Sequence, residues 1–247
     1  MRLTVRPLLR PLVRSLPEPM QPWAVRRLEA IREGLVWPIP LAMYARSALD
    51  GEGSSFVLGG RRHRYLWHPY MATWRTERAV EVPVVWDRVR SGDPASTLEI
   101  GNVLSHYFPA AHTVVDKYEQ APGVINEDAV DFDDGRRYDL IVSVSTLEHV
   151  GYDEQPKDAA KGLRAIEHLR ELLTDSGELW FTVPKDWNPE LDRHLAEGRI
   201  RGAERRCVKR ISEDGRWEEV DCDELEEVRY DTPFPYANGV TFAVVRN

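Results

Sequence analysis

Residues 96–151 contain four short apolar runs that are each followed by acidic or small polar residues. The runs cover residues 97–100, 113–115, 124–125 and 140–144. Strands of a parallel α/β sheet are buried along their length and present ligand-binding groups at their carboxyl ends. The order of these runs and endings therefore predicts four parallel strands with a ligand site at one edge of the sheet.

The segments that follow are expected to complete an α/β domain. An apolar stripe predicts a helix over residues 157–173, with Gly177 as its terminating glycine, and then a strand over residues 178–183. The remaining elements are a loop and helix in DWNPELDRHLAEG, a strand pair in CVKRIS and GRWEEV, and a final strand in GVTFAVVRN.

Residues 1–94 are predicted to form an N-terminal helical and hairpin extension, and residues 95–247 the α/β domain. The elements expected in the extension are a helix over residues 23–33, a hairpin over residues 56–70, and a helix from residue 73 that Pro83 divides or delimits.

Charge is unevenly distributed along the chain. Its 247 residues carry a formal net charge of −8, whereas residues 1–34 have seven arginines and three glutamates, a local balance of +4. The acidic body argues against nucleic-acid binding, which needs a basic face. Arginines recur every fourth position in residues 1–22, but two prolines interrupt any helix there. We expect an irregular arm that makes weak contact with anionic membranes.

The two cysteines, Cys207 and Cys222, lack the close spacing of a metal-binding pair. We interpret them as reduced thiols of a cytoplasmic protein. His63 and His68 have no carboxylate or cysteine partner at ligand spacing, so no metal site is expected. No apolar run approaches the roughly 18–20 residues that span a bilayer, and prolines interrupt the N-terminus where a signal peptide needs a continuous apolar run.

Residues at the ends of the first two strands are candidates for cofactor binding. Glu99, Gly101 and Asn102 lie at the first strand end, where a glycine leaves the approach open and helix N-terminal amides face a ligand. Many such turns contain one glycine for geometry alone. Asp116 ends the second strand, where a carboxylate can accept hydrogen bonds from both ribose hydroxyls. The alternative is a solvated carboxylate.

The stretch SVSTLEHVG, residues 143–151, is the most distinctive. Together with EIGN at residues 99–102 and the endings at Asp116 and Asp128, it resembles the S-adenosylmethionine-dependent methyltransferases of the Rossmann-like class. The resemblance covers about residues 95–185. It implies a mostly parallel Rossmann-like sheet flanked by helices, with an antiparallel last strand, and S-adenosylmethionine as cofactor. The chain is also similar to methyltransferase-like proteins of bacterial surface-glycan gene clusters.

The resemblance implies roles for single residues near the cofactor. Asp128, or Glu127 beside it, would meet the adenine amino group, unless Asp128 is a simple turn residue. Ser145 and Thr146 would lie beside the methionine part of the cofactor.

Acceptor and proton-transfer residues are predicted in four segments of the chain. Glu148, His149 and His68 are candidates for proton removal, because a histidine titrates near neutral pH. The alternative for His149 is to fill the start of the next helix. Candidates for an acceptor pocket, with packing as the alternative for each, are Tyr70, Trp74, Trp187, Asn188 and Tyr236.

Two features depart from the family pattern. The EIGN loop has one glycine where the family has a glycine-rich loop, and only residues 117–123 separate the second and third strands, too few for a helical crossover. S-adenosylmethionine has no phosphate and depends less on such a loop than a dinucleotide does. We therefore favour methyl transfer to a small-molecule or glycan acceptor. The alternatives are a non-catalytic binding or scaffolding protein and another nucleotide-dependent enzyme.

Overall fold

The computed structural model describes residues 55–68 and 70–247, which belong to one compact unit. The expectations for the arginine-rich arm, its membrane contact and the helix over residues 23–33 lie outside the described residues. No helix in the described part of the chain is long and apolar enough to cross a membrane.

The predicted hairpin is present. Strand β1 (Ser55–Leu58) pairs antiparallel with β2 (Arg61–Arg64). Gly59 and Gly60 have the positive φ values, 61° and 73°, that a tight two-residue turn requires.

Pro83 does not divide the helix that follows the hairpin. Helix α1 spans Arg78–Val89 with Pro83 inside it, after an irregular 3-10 segment at Tyr70–Arg75. A proline cannot donate to the carbonyl four residues earlier, here that of Ala79. The N–H of Leu66 donates to that carbonyl instead, at 3.0 Å, so the helix continues without leaving this acceptor unpaired.

An eight-stranded sheet forms the centre of the fold. Its strands are β3 (Thr97–Ile100), β4 (Thr113–Val115), β5 (Val124–Ile125), β6 (Tyr138–Val144), β7 (Leu173–Pro184), β8 (Ala203–Arg210), β9 (Trp217–Val220) and β10 (Gly239–Arg246). The order is β5-β4-β3-β6-β7-β10-β8-β9. The first five strands in this order are parallel, and β10 runs antiparallel to β7 and β8. This confirms the predicted fold class.

Helices cover both faces of the sheet. Successive side chains of β6 point to opposite faces. Leu140 and Val144 pack on the side of α1, whereas Ile141 packs on the side of α2 (Lys161–Glu171) and α3 (Pro189–Ala196). The apolar run in β6 is nearly continuous because both of its faces are buried.

The connections between the first strands are short. Strand β3 is followed by a single 3-10 turn, Leu104–His106. Residues 116–123 join β4 to β5 without a helix, and β5 has two residues. The expectation that residues 117–123 are too few for a helical crossover is confirmed.

The interpretation of Gly177 as a helix-terminating glycine is wrong. Helix α2 ends at Glu171 and Gly177 lies within β7. A Cβ at this position would lie 2.7 Å from the carbonyl oxygen of Tyr138, where the pairing of β6 with β7 shifts register. The glycine therefore permits a close approach of two strands at a bulge.

The interpretation of Cys207 and Cys222 as reduced thiols is also wrong, because the structure joins them in a disulfide. Cys207 lies on β8 opposite Val220 of β9, and Cys222 follows β9 directly. This register brings two cysteines 15 positions apart to a Cα–Cα distance of 5.1 Å. The expectation of a cytoplasmic location gains no support from these cysteines, since disulfides persist in oxidising compartments.

Candidate functional site

The order of the strands reverses between β3 and β6, which are neighbours in the sheet. From β3 the chain proceeds outward through β4 and β5, and then returns to β6 on the other side. Ligands of open α/β sheets bind outside the carboxyl ends of the strands at such a switch point. A cleft opens there. Five predicted site residues line it: Gly101, Asp116, Asp128, Thr146 and His149.

Gly101 and Thr146 touch across the switch point. Gly101 has a φ of +85°, which disfavours any residue with a Cβ. A Cβ built there would lie 2.2 Å from Oγ1 of Thr146. The single glycine of the EIGN loop therefore stands where both the backbone and the neighbouring strand require one.

Glu99 holds this loop from behind and does not line the cleft. Its side chain is fully buried. Oε1 accepts hydrogen bonds from the backbone N–H groups of Val103 and Leu104, at 2.9 and 2.8 Å, and Oε2 lies 2.7 Å from Nε2 of His112. One carboxyl group thus satisfies two loop amides that would otherwise be buried without a partner.

Asp116 lies at the end of β4 and faces the cleft. Its Oδ1 accepts from the backbone N–H groups of Tyr118 and Glu119, at 2.8 and 2.7 Å, and Oδ2 accepts from that of Asn102 at 3.1 Å. A carboxylate has about four acceptor positions, so one is left for a ligand. Asn102 itself does not line the cleft, since its side-chain Nδ2 donates to Glu119 Oε1 at 2.9 Å.

Asp128 belongs to a group of four alternating charges at the rim of the cleft. Its Oδ2 lies 2.7 Å from the ammonium of Lys117 and 2.6 Å from that of Lys161, and both ammonium groups also contact Glu154. Burial raises the pKa of Asp128, but the hydrogen bonds from the two lysines outweigh it and hold that pKa below its usual value. Asp128 is therefore an ionised acceptor that any ligand must share with two lysines.

His149 lies between the cleft and a group of aromatic rings. Its Nδ1 is 2.6 Å from Oδ2 of Asp153, which also accepts from Trp187 Nε1 at 3.2 Å. The ring of Trp187 packs edge-on against those of His149 and Tyr230, each with a centroid distance of 5.0 Å. Burial lowers the pKa of His149, although Asp153 opposes this. A neutral imidazole can accept a proton near neutral pH.

Ser145 is turned away from the cleft, towards α1. Its hydroxyl donates to Glu81 Oε1, and its backbone N–H donates to Thr182 Oγ1 at 3.0 Å. Arg78 donates to the other oxygen of Glu81 and to the carbonyl oxygen of Val144. These bonds fix the left-handed backbone of Ser145, whose φ is 40°. Ser145 therefore positions the strand end, and Thr146 is the hydroxyl residue that reaches the cleft.

The residues predicted from the segment before α1, His68 for proton removal and Tyr70 and Trp74 for an acceptor pocket, do not line the cleft. His68 packs edge-on against Tyr107 at 5.2 Å, and Tyr70 stacks on His106 at 4.2 Å. Burial lowers the pKa of His68. Trp74 is buried in the body of the protein, which favours packing as its role.

Asn188 and Tyr236 also lie outside the cleft. Asn188 is fully buried and caps α3, because its Oδ1 accepts from the N–H groups of Glu190 and Leu191. Its Nδ2 donates to the carbonyl oxygen of Glu148, at 3.0 Å. Tyr236 is half-buried in the loop before β10 with a left-handed φ of 70°. Of the five predicted acceptor residues, Trp187 is the one that packs on a residue lining the cleft.

Several residues around the site were missed by sequence reasoning. Lys117 and Glu154 lie in exposed polar stretches and gave no signal. Glu81 could have been found from the sequence, because a charged residue among the valines of an apolar helix stripe is unexpected. Among the described residues no group of histidine, cysteine and acidic side chains could hold a metal ion.

No family model matches the chain, and no curated protein is significantly similar to it. Solved structures with a related course of the chain include the N-methyltransferase NodS from Bradyrhizobium japonicum in complex with S-adenosyl-L-homocysteine (17% identity, 69% of this chain and 91% of that chain covered, TM-score 0.42). Others are the sugar N-methyltransferase KedS8 from Streptoalloteichus (16%, 68% and 88%, 0.35) and a TehB-like SAM-dependent methyltransferase from Corynebacterium glutamicum (14%, 69% and 90%, 0.40). Similarities this weak carry no argument about activity or acceptor.

Proposed function

We propose that the protein transfers a methyl group from S-adenosylmethionine to a small-molecule or glycan acceptor. The observation that supports this most is the convergence of Gly101, Asp116, Asp128 and Thr146, which follow four consecutive strands, on one cleft at the switch point of the sheet. These are the positions at which the methyltransferase resemblance implies cofactor contacts.

The residues of the cleft suit the parts of this cofactor. Asp116 keeps one acceptor position for a ribose hydroxyl. Ile100, Val115 and Ala129 supply an apolar wall for the adenine ring. Gly101 and Thr146, which also line the cleft, would lie beside the methionine end.

The protein's part in the reaction is to position the acceptor and to take its proton. The cofactor supplies a methyl group activated by its sulfonium, so alignment of the acceptor with that group is the main requirement. His149 lines the cleft as a largely neutral base, and Asp153 holds its other ring nitrogen. It is placed to accept the proton of a hydroxyl acceptor.

One observation favours the alternative of a non-catalytic protein. Three of the about four acceptor positions of Asp116 are already occupied by backbone amides. A carboxylate with these hydrogen bonds can have a purely structural role, in which it stabilises the loop and binds no cofactor.

Calorimetry with S-adenosylhomocysteine, the product of the proposed reaction, separates the two functions. We expect micromolar affinity for the full chain, and an affinity reduced roughly tenfold or more by Asp116→Ala, since a charged acceptor would be lost. Asp116→Asn, which keeps one oxygen, should fall between the two.

The matched control is Asp175→Ala, an exposed aspartate at the opposite end of β7, which should leave the affinity unchanged. Circular dichroism of each variant tests whether it is folded. Well-folded wild-type protein that binds no S-adenosylhomocysteine at millimolar concentration would sink the proposed function and leave the non-catalytic alternative.

A further inference from the structure

Three buried acidic residues lie together beyond the end of β6. Glu77, Glu81 and Glu148 are 8%, 0% and 1% exposed. Arg78 interacts electrostatically with all three carboxyl groups, and Arg210 interacts with that of Glu77. We call Glu77, Arg78, Glu81 and Glu148 the acid cluster. Its three carboxyl groups outnumber the guanidinium groups that face them.

All three acids have partners within the protein, but one carboxyl oxygen has none. Glu81 accepts from Arg78 and Ser145, and Glu77 accepts from the backbone N–H of Ala237 at 3.4 Å. The Oε2 atom of Glu148 is buried and has no hydrogen-bond partner. A buried carboxyl oxygen without a donor is costly, and native structures rarely keep one unless a ligand or water satisfies it.

The same place holds further unsatisfied polar groups. Tyr107, whose buried hydroxyl has no partner, interacts electrostatically with Arg78, Glu81 and Glu77, and the buried hydroxyl of Thr76, next to Glu77 in the chain, also has none. Three of the four such atoms in the described part of the chain therefore belong to the acid cluster or its neighbours. This concentration indicates a polar site for a ligand.

Electrostatics at the acid cluster favour a cation. Burial raises the pKa of Glu81 to about 7, although the positive charge of Arg78 opposes this, and burial raises the pKa of Glu148 well above its usual value. The negative charge of Glu77 adds to the raised pKa of both Glu81 and Glu148, and that of Glu81 adds to the raised pKa of Glu148, so these carboxylates repel one another. A positively charged or proton-donating group would relieve this repulsion.

The acid cluster adjoins the cofactor cleft. Glu148 lies between Thr146 and His149, both of which line the cleft, and its Oε1 is 3.6 Å from Nε2 of His149. The rings of Trp187 and Tyr230, which continue from His149, can pack against an alkyl or sugar body and attract a cation.

On the basis of the proposed methyl transfer, we propose that the acceptor is an amine and that the carboxyl group of Glu148 receives its nitrogen beside the cofactor cleft. The amine arrives as an ammonium ion and gives one proton to a carboxylate of the acid cluster. The lone pair of the neutral amine then forms the N–C bond while the C–S bond of the sulfonium breaks, with its electron pair going to sulfur. The methylated nitrogen carries the positive charge and loses a second proton to solvent.

A pair of probes that differ in one group tests the amine preference. Benzylamine and benzyl alcohol share the ring that Trp187 and Tyr230 would contact. Each is titrated by NMR into the full chain with S-adenosylhomocysteine present. We expect benzylamine to bind roughly tenfold or more tightly than benzyl alcohol, and Glu148→Gln to remove this preference while leaving the alcohol's affinity unchanged.

The matched control is Glu178→Gln, the same substitution at a half-buried acid in the middle of β7, which should keep the preference. Equal binding of the two probes by the wild-type protein, binding of neither, or a preference that survives in Glu148→Gln would overturn the inference. Binding of S-adenosylhomocysteine, measured in the same samples, reports on the proposed function separately. If it binds and no amine preference is found, the inference alone fails.

Discussion

Gly101 and Thr146 constrain each other at the scale of single residues. One follows β3 and the other follows β6, and the space that a Cβ of residue 101 would need is filled by the side chain of Thr146. The cleft therefore depends on the smallness of one residue and the position of another from a different strand. Changes at these two positions should not be additive.

We predict that Gly101→Ala lowers the free energy of unfolding by more than about 2 kcal/mol, because it combines a left-handed φ with a steric clash. Gly123→Ala is the matched control: its φ of +84° is nearly the same as +85° at Gly101, but nothing lies within 4 Å of its Cβ. It should cost roughly 1–2 kcal/mol.

Urea denaturation followed by circular dichroism measures both changes. Adding Thr146→Ala to Gly101→Ala should recover part of the loss, since two of the three closest atoms are removed. Equal destabilisation by Gly101→Ala and Gly123→Ala would contradict the steric account.

At the scale of elements, the disulfide ties the start of a 3-10 turn to the hairpin of β8 and β9. Cys207 is buried against Thr241 of β10, and Cys222 opens the turn Cys222–Leu225. The bridge therefore joins β8 to the 3-10 turn that follows β9.

We predict that reduction of this disulfide destabilises the protein by roughly 3 kcal/mol, the chain-entropy value for a closed loop of about 15 residues. Thermal melting with and without dithiothreitol measures the effect, and Cys207→Ala/Cys222→Ala should show no response to the reductant. Two alkylated thiols in the mass spectrum of unreduced protein would refute the pairing.

Local pattern was enough to predict many elements and not enough for others. The bounds of β3, β4 and β5 follow from short apolar runs with polar endings, since buried parallel strands look alike whatever surrounds them. The disulfide was missed because it depends on the register of β8 with β9. Gly177 was misread because its reason, the carbonyl oxygen of Tyr138, comes from another strand.

The same limit applies to the site. Gly101, Asp116, Asp128, Thr146 and His149 were found because a strand end is visible in sequence. Whether a neighbouring polar side chain points into the cleft or behind it is decided by tertiary partners. Ser145 turns to Glu81 of α1, and no local pattern shows that bond.

At the scale of the whole molecule, burying acids links folding to pH. The pKa of Glu81 is about 7 in the folded protein and 4.5 in the unfolded chain. Between these values the folded protein holds a proton that the unfolded chain has lost, so stability falls as pH rises. The contribution of Glu81 to the free energy of unfolding is fully present below pH 4.5 and is lost by about pH 7. Its upper bound is roughly 3 kcal/mol.

We predict that the free energy of unfolding falls less steeply with rising pH, across roughly pH 5 to 8, in Glu81→Gln than in the wild-type protein, because glutamine does not titrate. The free energy of unfolding in urea, measured at several pH values, gives the two curves. The exposed control Glu167→Gln should keep the slope of the wild-type protein. Parallel curves for Glu81→Gln and the wild type would show that Glu81 titrates normally.

Glu99 has a consequence for how chains of this kind are recognised. It fastens the backbone of the first turn with one carboxyl group, and a single glycine then suffices at the point of closest approach. Searches of genomes that require a glycine-rich turn will pass over chains built in this way. A pattern that accepts one glycine two positions after a buried acid, at the end of a short strand, would retrieve them.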